Sequence, residues 1–207
     1  MRQPVRIING RWVMPALVAA LLIAPSLALA GGPPTSAAPL RQATAASRLA
    51  LRSPDVTPGG AIALDHVYDQ SGCQGGNTSP ALSWTHPPAS TRSFAVLMYD
   101  PDAPGGGWWH WAVFDIPAAV SSLRAGAGDP ARHLLPAGAI QARNDFGSPG
   151  YAGPCPPPGP PHHYRLMLYA LRVANLGLGA GASAAQVADR ARANALAEAE
   201  IVGLYGR

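Results

Sequence analysis

The chain has no lysine, so each of its 15 basic side chains is an arginine. It has two cysteines and no Cys-x-x-Cys pair, which makes a structural zinc site a weak proposition. No Gly-x-Ser-x-Gly elbow occurs, so an esterase-type serine nucleophile lacks its usual setting. Gly-rich loops that cradle phosphates are also missing. Gly105-Gly106-Gly107 lacks the strand-to-helix context they need. Beyond residue 30 no apolar run is long enough to cross a bilayer. The formal charge of +4 falls to +1 once Arg2, Arg6 and Arg11 are set aside, which removes the argument for nucleic acid.

Those three arginines open a segment that reads as a secretory signal peptide. Trp12 to Leu29 is mostly apolar, and Ala28-Leu29-Ala30 is a small-x-small end, so cleavage is expected after Ala30. An uncleaved anchor is the alternative, and Pro15 and Pro25 interrupt it. Residues 31–55 are rich in Ala, Pro, Ser and Thr and read as a flexible leader. Residues 56–207 are long enough for one domain with a real core. Export leads to a periplasmic or secreted protein with no membrane span after cleavage. In that setting Cys73 and Cys155 suit a disulfide. It would close a loop of about eighty residues, worth on the order of 4 kcal/mol in the chain-entropy model. Two free thiols or half a metal site are the alternatives.

Apolar runs at Ser93–Tyr99 and Trp111–Ile116 are too short for typical helices and predict strands buried on both faces. Ala61–Tyr68, Ala81–Trp84 and Arg165–Leu171 predict further strands. Ala184–Leu204, alanine-rich with Ser183 as a candidate N-cap, predicts a helix. Residues 121–150 form a long stretch of weak periodicity, and the 117–150 region carries no assigned role. The expected fold is mainly β, an antiparallel β-sandwich with a C-terminal helix.

Candidate chemistry gathers in two places. Between the paired strands lie Asp100, Asp102, Trp108 and His110; Trp109 and Trp111 read as packing, Trp108 as the tryptophan that meets a ligand. Behind a proline-rich wall, residues 151–161, follow His162, His163 and Tyr164. Imidazoles, a tyrosine hydroxyl and backbone N–H groups make a compact anion site. Single histidines such as His66, His86, His133 and His163 read first as structural. Metal binding by Asp100, His110 and His162 is a lesser option. A hydrolase using Asp100 with His110 and His162 is the competing function, but no activated nucleophile is visible.

The ordered set Asn77-x-Ser79-Pro80-Ala81-Leu82-Ser83-Trp84, Asp100-Pro101-Asp102-Ala103-Pro104, Trp109-His110-Trp111, Gly153-Pro154-Cys155-Pro156-Pro157 and His162-His163-Tyr164 resembles the phosphatidylethanolamine-binding proteins. It is most similar to their bacterial Raf kinase inhibitor-like branch. The resemblance runs from about Val56 to Arg207. It implies a β-sandwich with a small pocket for phosphate-bearing or other anionic groups, without a cofactor or catalytic residues. It implies Asp100 and His110 as pocket acid and histidine, and Pro156 and Pro157 as the wall. It implies His162 and Tyr164 as the second histidine and its tyrosine, and Tyr205, on the terminal helix, as a pocket-edge residue. Asp102 belongs to the motif and orients the turn. The family usually has His-Arg-Tyr where this chain has His162-His163-Tyr164. A small anionic or phosphorylated ligand is the implied partner, and modulation of an unidentified kinase- or protease-type protein is compatible with it.

Overall fold

The computed structural model describes residues 48–207. The expected signal peptide, residues 1–30, and most of the expected leader lie outside the described residues. Ordered structure begins earlier than residue 56. Strand β1, Ala50–Arg52, pairs antiparallel with β2, Leu82–Thr85. Leu49 and Leu51 are buried in the same apolar cluster as Trp84, and a two-leucine alternation is too short to stand out from an alanine-rich leader.

The five-stranded sheet is built around β3, Ser93–Asp100, and β4, Trp108–Pro117. Its order is β6 (Ile140–Gln141), β4, β3, β7 (His162–Leu171) and β8 (Ala195–Tyr205). A second sheet holds β1, β2 and β5 (Ser122–Leu123). All neighbouring strands run antiparallel. Phe94, Val96 and Met98 meet Leu82, Trp84 and Leu123 in the core between the sheets. Ala95 and Leu97, alternating with them, face helix α1, Ala184–Asn194, through Val187, Ala188 and Ala191. Burial on both faces explains why β3 is a continuous apolar run.

Two expected elements change. The helix starts where expected, with Ser183 capping it and Gln186 completing the capping box, but it ends at Asn194. Residues 195–205 are strand β8, paired with β7 from Leu171↔Ala195 to His162↔Tyr205. Alanine, leucine and glutamate favour a helix, and pairing along a ten-residue partner strand overrides that preference. The strand expected at Ala61–Tyr68 is an irregular segment with a 3-10 turn at Leu64–His66. Its His66 Nδ1 bonds the Thr78 carbonyl at 2.7 Å, a structural role.

The chain between β7 and α1 passes Asp115, which sits in β4 with φ of 56°. The β3–β4 ladder slips beside it, between Phe94 and Val96. A second slip lies between Met98 and Tyr99: Met98 pairs Trp111, and Tyr99 pairs Trp109. His110 is left as the extra residue. This bulge sends Trp111 into the inter-sheet core and Trp109 against Tyr99 on the other face. His110 is aimed at the end of the sandwich.

Candidate functional site

Asp100 closes β3 and is 2% exposed. The prolines and the turn beyond it fold the backbone over its carboxylate. Oδ1 accepts from the N–H groups of Asp102 (2.8 Å) and Ala103 (3.2 Å). Oδ2 accepts from His162 Nδ1 at 2.7 Å, at the start of β7. The acid that the sequence places beside His110 is therefore paired with the second histidine. His110 instead donates from Nδ1 to the Ala152 carbonyl at 2.7 Å, because a carbonyl can only accept. Burial holds the His110 imidazole below its ordinary value of 6.5, against its backbone contacts and the charge of Asp100.

Tyr164, two residues past His162, is fully buried and meets His110 edge-on at 5.2 Å between ring centres. Burial first, and the neighbouring Asp100 charge second, push its phenol far above the ordinary value, so it stays a neutral hydroxyl. That hydroxyl and the indole N–H of Trp108 are buried without a hydrogen-bond partner in the protein. Each orphaned polar group costs on the order of 1–3 kcal/mol if nothing else meets it.

These side chains line a cavity of about 180 Å³ together with Pro156, Pro157, Phe146, Ala103, Pro104 and Cys155. The prolines of the wall lack N–H groups and rely on outside donors. Tyr68 N–H donates to Pro154 O at 3.1 Å, and Arg207 Nε donates to Pro156 O at 2.6 Å. The Cys73–Cys155 disulfide ties the same wall to the 70–73 loop, which Arg207 Nη1 also holds through Gly72 O at 3.1 Å. Asn77 Oδ1 accepts from Gly153 N–H at 2.9 Å, giving the Asn-x-Ser-Pro motif a supporting role. A Cβ on Gly153 would collide with the His66 carbonyl, so only glycine lets the wall approach so closely.

Asp100, His110, His162, Tyr164, Trp108, Pro156 and Pro157 thus converge as expected from the sequence. Asp102 and Tyr205 do not line the cavity. Asp102 turns outward to His163, whose N–H and Nδ1 both bond its Oδ2 at 2.7 Å. Those bonds lower the Asp102 pKa. Tyr205 is on β8, not on a helix, and packs at the edge of the Val67–Tyr68 cluster. Phe146 was not legible beforehand. It stands 4.5 Å from Tyr68, 5.3 Å from Trp108 and 5.8 Å from His110, centre to centre. The turn carrying it is bound to β4 through Trp109 and Asp145, N–H to carbonyl and N–H to carboxylate. Among the described residues no three His, Cys, Asp or Glu side chains converge as a metal site, and no helix is long and apolar enough to cross a membrane.

The chain is similar to known proteins in sequence and in fold. The E. coli K12 protein YbcL, a UPF0098 protein, is 45% identical over 162 residues, covering 77% of this chain and 88% of its own length. E. coli YbhB is 40% identical and is covered over 98% of its length. A Mycobacterium tuberculosis protein named as a putative lipoprotein, LppC, is 39% identical, with 60% of its length covered. The crystal structure of E. coli YbcL, described as a new member of the mammalian PEBP family, superposes with a TM-score of 0.76 over 78% of this chain and 99% of that one. The phosphatidylethanolamine-binding protein family model matches residues 52–206. With these motifs, this fold and this cavity, the chain belongs to the phosphatidylethanolamine-binding protein family.

Proposed function

We propose that the chain is an exported, non-enzymatic binding module that holds a small anionic group, phosphate or phosphate-bearing, in the cavity between Asp100, His110, His162 and Tyr164. One observation carries the reading. The acceptors of Asp100 are engaged inside the protein, whereas the buried Tyr164 hydroxyl and Trp108 indole N–H, on two residues that line the cavity, have no geometric hydrogen-bond partner in the protein. A cavity whose acid is satisfied and which keeps unpaired donors suits an oxyanion. The cavity presents no serine, threonine or free thiol: its cysteine is oxidised. The disulfide and the lipoprotein-named relative support a periplasmic or secreted setting. A partner protein offering a phosphorylated side chain fits the same chemistry.

Titration with orthophosphate, followed by tryptophan fluorescence through Trp108, tests the reading. Saturable change in the native protein, lost in His162→Ala and weakened in Tyr164→Phe, is expected. Vesicles containing phosphatidylethanolamine, run beside soluble phosphoethanolamine, separate a lipid source from a free one. No response to any oxyanion, with turnover of a generic ester, would replace the reading with a hydrolase built on Asp100, His110 and His162.

A further inference from the structure

We infer that the cavity selects oxyanions that carry their own proton: phosphomonoesters and hydrogen phosphate, in preference to sulfate esters and phosphodiesters. The inference rests on the anion reading above and narrows it. It starts from His110, which is 3% exposed. The Ala152 carbonyl takes the Nδ1 proton, so in the neutral ring Nε2 carries a lone pair and no hydrogen. Phe146 and Tyr164 pack edge-on against the ring and keep water from it. The protein thereby presents an acceptor, not a donor, from one side of a site that otherwise offers the donors Tyr164 Oη and Trp108 Nε1.

An oxyanion with no proton meets that lone pair with its own, and both desolvated groups are left unmatched. A hydrogen phosphate or a monoester monoanion donates its P–O–H to Nε2 and accepts from the others. A site built to bond an O–H rejects analogues lacking it far more strongly than a site built on shape. The alternative is for His110 to take up a proton. The groups facing it are Asp100 from β3, His162 and Tyr164 from β7, and Asp145 from the Phe146 turn. Asp100 and Asp145 favour the imidazolium, but burial outweighs them and holds the ring neutral near neutral pH. Asp100 is committed to His162 and the turn, which limits its help.

Three small probes separate the possibilities at pH 6.5: methyl phosphate, a mixture of mono- and dianion there, and the fixed monoanions methyl sulfate and dimethyl phosphate. The second phosphate ionisation lies near pH 6, so a usable fraction of methyl phosphate retains its proton there. Methyl phosphate is expected to bind at least about tenfold tighter than either competitor. Its affinity should fall as pH rises through about 6 to 8 and the monoester loses that proton. In His110→Gln the amide can turn its N–H₂ inward, and methyl sulfate should gain on methyl phosphate. Equal binding of all three probes to the native protein overturns the inference and leaves the anion reading standing. If none of the three binds, both readings are overturned.

Discussion

Two aspartate–histidine pairs stand side by side at one end of this sandwich. Asp100 and Asp102, two residues apart, meet His162 and His163, one residue apart, and both Nδ1–Oδ2 distances are 2.7 Å. The side chains of the first pair are 15% and 3% exposed, those of the second 58% and 41%. Distance does not distinguish the two pairs; their surroundings do. The inner pair has its carboxylate satisfied three times over, abuts Tyr164 and opens on the cavity. The outer pair fastens the Asp100–Pro104 turn to the start of β7 in contact with solvent, where ion pairs contribute little. Its acid, Asp102, keeps the turn in place by accepting from the His163 N–H and ring.

Replacing Asp100 with Asn should give the largest effect. One amide oxygen cannot accept both from His162 and from the Asp102 and Ala103 N–H groups, so a buried donor is left facing a donor. A loss of about 3 kcal/mol in urea unfolding is expected. Phosphate affinity should drop with it.

Acid should strike the inner region first. The His110 pKa is lowered in the folded protein, so the unfolded chain binds its proton more readily. The stability this group gives is complete above pH 6.5 and is lost as pH falls from there toward the folded-state value. The Asp102 carboxyl, lowered from 3.8, keeps its contribution until pH falls below that value. Thermal unfolding across pH 3–8 should therefore show an upper break that His110→Gln removes and Asp102→Asn leaves in place.

Arg207→Ala should be milder. It removes the donors that hold Pro156 and Gly72, about 1 kcal/mol, while the disulfide still anchors the wall. Phosphate affinity should fall several-fold in the oxidised protein and further after reduction, a coupling that titrations with and without dithiothreitol would read. Asp102→Asn should do least, within about 0.5 kcal/mol of the parent and with unchanged phosphate affinity. An affinity loss in Asp102→Asn as large as that in Asp100→Asn would erase the distinction between the pairs.

Much of this was legible before the fold. Continuous apolar runs marked β3 and β4 because both faces are buried. The proline wall, the two histidines and the pocket acid stood out as residue types with few other uses. The pairing of Asp100 with His162 was not legible, because 62 residues separate them and strand register alone brings them together. The aim of His110 depends on a one-residue slip between β3 and β4, and strict alternation would put it on the wrong face. Phe146 lies in a stretch without periodicity, ordered by Asn144 and Asp145 rather than by an apolar pattern. β8 was hidden by its own composition, since its strand character comes from β7.

The inner pair, and not the outer one, is proposed to belong to an oxyanion site. A crystal grown at pH 6 with arsenate, examined by anomalous scattering at the arsenic edge, tests it most directly. One strong peak is expected within hydrogen-bonding distance of His110 Nε2, Tyr164 Oη and Trp108 Nε1. A peak confined to the surface beside His163, or no peak in the cavity at saturating arsenate, would contradict it.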